Sequence, residues 1–221
     1  MALALDGTPV HVTGATSPVT SGTFTTANGS GVIIVAITSN ATSITGVTAT
    51  GLTFSARKQI GPTSGASRVQ TWEAPYSTNF SGTIQIAMGS NATTTADIFA
   101  VSGCPTASFH DTGAGIPGSS TSGNSTITTT NANDFVYFLV TNSTTNGTAG
   151  ATWNQIGPGS NFQVAAYQIV AATGTFTTAL ATGTSRGSII DAIIASAAPT
   201  DPGTVGMIGI TRLGSIDWRW T

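Results

Sequence analysis

Two histidines, one cysteine and eight acids are the residues through which this 221-residue chain could do acid–base, nucleophilic or metal chemistry. His11 and His110 lie far apart and Cys104 is the single thiol, so no zinc-ligand spacing arises. His110 and Asp111 are neighbours, and neighbouring side chains of an extended segment point to opposite faces, which argues against a dyad. No serine has the strand-to-helix context of a nucleophile elbow, and no phosphate-cradling P-loop occurs. Glu73 is the only glutamate, so paired-carboxylate glycoside hydrolysis would have to use aspartates. One cysteine builds no intrachain disulfide framework, and Cys104 reads as a small buried hydrophobe. The expectation is a protein that is not an enzyme and needs no cofactor or metal.

Two further sets invite a functional reading. Asp97 and Asp191 each open an apolar run, as a pair of calcium or ligand sites would, or as acids bonding turn backbone at equivalent corners. Calcium wants several oxygens from nearby acids, and the chain supplies few, so the turn role is preferred. Trp72, Trp153 and Tyr167 could form an aromatic platform for sugar rings, although packing between sheets is the preferred reading.

The elements that must position these residues are strands. The stretch Thr23 to Ser39, TFTTANGSGVIIVAITS, returns ungapped at Thr126 to Asn142 as TITTTNANDFVYFLVTN, each residue 103 positions further on. Both copies run threonine-rich, break at an Asn-centred turn and enter an apolar β-branched or aromatic run, the pattern of a buried strand fed by a tight turn. Later segments repeat in order, with Gln155-Ile156-Gly157-Pro158 answering Gln59-Ile60-Gly61-Pro62, Tyr167 answering Trp72, and Asp191 answering Asp97. The expected fold is all-β: an antiparallel jelly-roll-like β-sandwich built from two sequence-related halves, with an extended C-terminal arm. Residues 1–20 form a lead-in with one short strand around Val10–Val12, 21–104 the first unit, 105–198 a linker and the second unit, and 199–221 the arm. Gly113 to Asn124 reads as a flexible loop. Ser188 to Ala198 fits a short helix or a strand, and its β-branched content favours the strand. One interleaved sandwich is preferred to two small ones, because a shared core buries more of the few large side chains.

Charged residues are 6% of the chain, against about 25% in an ordinary soluble domain. Threonine, serine, asparagine and glycine replace them, so copies repel one another weakly. The net charge is −2 and the basic residues are scattered, which excludes nucleic acid as a natural partner. No apolar run approaches the roughly 18 residues of a membrane-crossing helix, so no membrane insertion is expected. MALALD lacks the basic and long apolar regions of a secretion signal.

After Pro199-Thr200-Asp201-Pro202-Gly203 the character changes. The tail matches neither unit, and its Met207, Ile208, Ile210, Leu213, Ile216, Trp218, Arg219 and Trp220 form a candidate subunit interface. It would dock on a neighbouring copy by strand addition or by inserting its tryptophans into a pocket, or else fold back as an edge strand of its own domain.

The N-terminal MALALDGT, the paired T-x-T-T blocks with their apolar strands and the missing signal peptide resemble small β-sandwich structural proteins of tailed-bacteriophage virions. That resemblance implies a non-enzymatic virion part, a capsid decoration protein or a head or tail fibre component. Such a part is made in the host cytoplasm and partnered by copies of itself and other virion proteins. The alternative is an adhesin-like or carbohydrate-binding module that meets a host-surface glycan.

Overall fold

The computed structural model describes residues 2–64, 67–142, 147–159 and 162–196. The repeated apolar runs form the central strands β4 (Gly31–Ser39) and β13 (Phe135–Asn142), every residue of which is buried. Burial on both faces explains why these runs are continuously apolar rather than alternating.

Each central strand lies in the middle of a five-stranded antiparallel sheet. The first sheet runs β1 (Ala4–Gly14), β10 (Thr94–Ser102), β4, β7 (Arg68–Tyr76), β6 (Ser55–Ile60). The second runs β11 (Gly118–Ser120), β19 (Ser185–Ile193), β13, β16 (Val164–Ile169), β15 (Asn154–Ile156). Position by position the two orders correspond, and neither sheet takes a strand from the other half of the chain.

Shorter strands make smaller sheets. In the first half β2 (Val19–Thr20), β9 (Gln85–Met88) and β5 (Ile44–Thr48) pair in that order, and β3 (Phe24–Thr25) pairs with β8 (Ser81–Gly82). In the second, β12 (Thr126–Thr128) pairs with β17 (Thr175–Thr177), and β14 (Thr148–Ala149) with β18 (Leu180–Thr182). Exposed hydroxyls bond across these ladders, Thr126 to Thr177 at 2.9 Å, Thr128 to Thr175 at 3.2 Å and Thr148 to Thr182 at 3.0 Å. Threonine therefore serves the ladder twice, through its β-branch and through its hydroxyl.

Side-chain alternation sorts each central strand between two cores. Ile33, Val35 and Ile37 pack with Phe24, Ile84 and Ile86 inside the first half. Val136, Phe138 and Val140 pack with Ile127, Trp153 and Val164 inside the second. The opposite faces, Val32, Ile34 and Ala36 of β4 and Phe135, Tyr137 and Leu139 of β13, meet in a third cluster between the two large sheets. At about 1.5–3 kcal/mol for each fully buried large apolar side chain, all three clusters are substantial.

The fold is thus all-β, antiparallel and of sandwich type, as expected. The preference for one interleaved sandwich is corrected: each half keeps its own core, and a shared core joins them. The lead-in is corrected too, since Ala4–Gly14 is a full edge strand of the first sheet. Part of the expected loop, Gly118–Ser120, pairs with β19. The ambiguous C-terminal run is a strand, Ser185–Ile193. The arm residues Met207, Ile208, Ile210, Leu213, Ile216, Trp218, Arg219 and Trp220 lie outside the described residues.

Candidate functional site: a charged seam and two aspartate-held turns

The third core is apolar in the middle and polar at two places. At one, Asp191 of β19 is fully buried and accepts from the Arg57 guanidinium of β6, Nε to Oδ2 at 2.8 Å and Nη2 to Oδ1 at 3.4 Å. His110 stands beside them, with Nε2 2.8 Å from Glu73 Oε1 of β7 and Nδ1 3.5 Å from Asp191 Oδ2. Both Arg57–Asp191 and His110–Glu73 tie one half of the chain to the other. Burial by itself would lower the His110 pKa, but the bonds to Asp191 and Glu73 outweigh it and raise it to about 9. Burial likewise works to raise Asp191, yet His110 and Arg57 hold it below the ordinary carboxylate range. His110 is therefore an imidazolium at neutral pH, without the lone pair a general base needs. The chemistry of this cluster is attraction across an interface.

At the second place, Asp97 of β10 pairs with His11 Nδ1 of β1 at 2.7 Å and accepts from Gln163 Nε2 at 2.7 Å. Gln163 belongs to the second half, is fully buried, and also donates to the Ala36 carbonyl at 3.2 Å. The hydrogen bond to Asp97 raises the His11 pKa against the opposing effect of burial. Gly157, also of the second half, packs against the Asp97 carboxylate at a φ of 72°, where a Cβ would collide with Oδ1.

Two of the three remaining buried acids, Asp6 and Asp111, clamp turns. Asp6 accepts from the backbone N–H groups of Ala27 (2.8 Å) and Asn28 (3.1 Å) and from Asn28 Nδ2 (3.0 Å). Asp111 does the same for Thr130 (2.7 Å), Asn131 (3.1 Å) and Asn131 Nδ2 (3.2 Å), and adds the Gly113 N–H at 2.6 Å. Ala27 and Asn28 correspond to Thr130 and Asn131 in the repeated stretch. These are the Asn-centred turns that launch β4 and β13. A glycine follows each acid closely, and a Cβ on Gly7 or Gly113 would strike the carbonyl of Thr25 or Thr128.

The sequence-derived candidates are placed as follows. His110 and Asp111 do point apart, one to the seam and one to the turn. Asp97 and Asp191 both face the seam and neither bonds a turn, which corrects the capping role expected of them. They are not equivalent either. Asp97 pairs with Ala36 and Asp191 with Tyr137, so the ladder matches Asp97 to Ile189, two residues from Asp191. The same reasoning matches Trp72 to Ala166 rather than Tyr167. Trp72 packs on the first half's core, Trp153 meets Phe138 edge-on inside the second, and Tyr167 stacks on Phe135 in the seam at 4.7 Å. The three aromatics are not brought together, so they make no common sugar platform. Cys104 is buried, and burial pushes its thiol up to about 11.

Sequence reasoning missed Asp6, Arg57, Glu73 and Gln163. The one available signal was Asp6-Gly7 and Asp111-Thr112-Gly113 standing at similar distances ahead of the two repeat copies. Two hollows in the first half, of about 280 and 310 Å³, are lined by groups such as Thr50, Tyr76, Asn79, Thr83 and Gln85, and neither reaches the seam.

No protein-family model, curated protein or solved structure matches the chain.

Proposed function

We propose that the chain is a non-enzymatic structural protein that assembles with copies of itself and other proteins of a virion, as a capsid decoration or a head or tail fibre component. One observation carries the reading. All six acids among the described residues, Asp6, Glu73, Asp97, Asp111, Asp134 and Asp191, are buried. Five of them hold a turn or the seam through ion pairs or donors from backbone and side chains, and Asp134 sits against Asp111. Their ionisable chemistry is committed to holding the molecule together, and the described surface is left rich in hydroxyls and poor in charge. Such a surface tolerates close packing against copies. The repeated stretch and the corresponding strand orders support a further reading, that the two halves descend from one duplicated sandwich unit.

The arm from residue 199 is the proposed contact between copies, and the test is the mass in solution of the full chain beside a chain ending at Ala198. A defined oligomer for the first and a folded monomer for the second is the expected result. Two monomers differing only in stability would overturn the assembly role of the arm. Saturable glycan binding, lost on Trp72→Ala with the fold intact, would favour an adhesin-like module instead.

A further inference from the structure

We infer that Asp134 is a neutral carboxylic acid in the folded protein, and that its O–H, given to Asp111, makes the turn ahead of β13 a clamp that weakens as the solution becomes alkaline. Asp134 is 0% exposed, neither of its carboxyl oxygens meets a hydrogen-bond donor among the described residues, and the carboxyl beside it is that of Asp111. Two carboxylates in contact and shielded from water do not both ionise. The proton belongs to Asp134, because Asp111 already accepts from the N–H groups of Gly113, Thr130 and Asn131, the Thr130 hydroxyl at 2.7 Å and Asn131 Nδ2. Every one of those donors favours the Asp111 anion.

The first half supplies an independent argument. There Asp6 holds the corresponding turn, and its Oδ2 accepts from the buried Tyr76 hydroxyl. Tyr76 pairs with Gly31 across the ladder. In the repeated stretch Gly31 corresponds to Asp134, and the Val170 N–H bonds the Asp134 carbonyl where Tyr76 would stand. A Cβ on Gly31 would run into the Val101 carbonyl and into the Tyr76 hydroxyl and ring. One half thus places a phenol O–H over its aspartate and glycine beneath the ring. The other has no phenol and places a carboxyl there. Both arrangements require an O–H donor, and a carboxyl is one only when protonated.

Burial, then the hydrogen bond and charge of Asp111, raise Asp134 to about 8, while its partner is held well below the carboxylate range. Asp111 is the ionisable group that faces Asp134; the Thr130 and Asn131 side chains bonded to Asp111 carry no charge. The folded pKa is raised, so the contribution to stability is complete below the ordinary aspartate pKa and is lost as pH rises through about 8.

The test is a ¹³C titration of the aspartate carboxyls in the full chain, read beside melting temperature. One acid-form carboxyl, assigned to Asp134, should persist at pH 6 and titrate with a midpoint near 8. Asp134→Asn keeps a donor that does not titrate, so its melting temperature should fall less between pH 5 and 9 and exceed the wild type's at pH 9. Asp134→Gly with Val170→Tyr, which copies the first half, should behave likewise. If these variants do not fold, the wild-type titration still decides. The inference is overturned if Asp134 titrates below pH 5. It is equally overturned if calcium or magnesium raises the wild-type melting temperature but not that of Asp134→Asn, since the pair would then hold a cation in place of the proton.

Discussion

Asp6 and Asp111 hold the same turn in two halves of one chain, each gathering two backbone N–H groups and an asparagine side chain onto a buried carboxylate. The turn sets where each central strand begins, and so which side chains alternate into which core. Replacing either acid takes the shared acceptor from two backbone N–H groups and an asparagine side chain of the turn. Asp6→Ala or Asp111→Ala should cost about 3 kcal/mol or more, at about 1.5–3 kcal/mol for a bond to a charged group, measured by urea unfolding. A loss below about 1 kcal/mol would show that the turns hold themselves.

The seam should behave as a coupled unit. Arg57→Leu leaves His110 as the one cation beside the buried Asp191 among the described residues, and a loss of about 2–4 kcal/mol is expected, because breaking a buried pair strands a charge. A double-mutant cycle of Arg57→Leu with Asp191→Asn should return a coupling energy of about 1–3 kcal/mol. Strict additivity would show that the pair contributes nothing as a pair.

His110 makes a second prediction with a definite sign. Its folded pKa of about 9 lies above the ordinary 6.5, so its contribution is complete below pH 6.5 and disappears as pH rises through about 9. The difference corresponds to about 3 kcal/mol at most. In an Asp134→Asn background, which removes the other titration of this region, His110→Gln should flatten the fall in unfolding free energy between pH 6.5 and 9. An unchanged slope would place the dependence elsewhere.

Tyr137 offers a test in the opposite direction. Its hydroxyl is fully buried in the seam and meets no hydrogen-bond partner of good geometry. Tyr137→Phe should therefore be neutral or stabilising by about 1 kcal/mol in urea unfolding, since an unsatisfied buried polar group is removed with the ring retained. A marked loss would reveal a bond made in solution.

Gly157→Ala should cost about 2 kcal/mol or more, combining a left-handed φ of 72° with a collision against the Asp97 carboxylate. Paired with Asp97→Ala, which clears the space, part of that loss should return. No recovery would leave backbone conformation as the whole cause.

The strands were legible because periodicity and β-branched content are local. Val32–Ile37 and Phe135–Val140 announce themselves, and their continuous apolarity foretold burial on both faces. The registers were not. The strand starts alone match Asp191 to Asp97, whereas hydrogen-bonded ladders align it with Phe99, and a shift of two keeps the same face while changing every neighbour. Trp72 and Tyr167 were misaligned by one, which exchanges faces, and so one lies in the first half's core and the other in the seam. The clamps and ion pairs join residues distant in sequence, Arg57 and Asp191 among them, and no local pattern encodes such pairs.

The inward placement of the six described acids also determines how the molecule meets electrolyte. Debye screening acts on charges in contact with solvent and reaches buried pairs weakly. Added sodium chloride thus has little to screen on the described surface, and the folded chain's stability should hardly change from low ionic strength to molar salt.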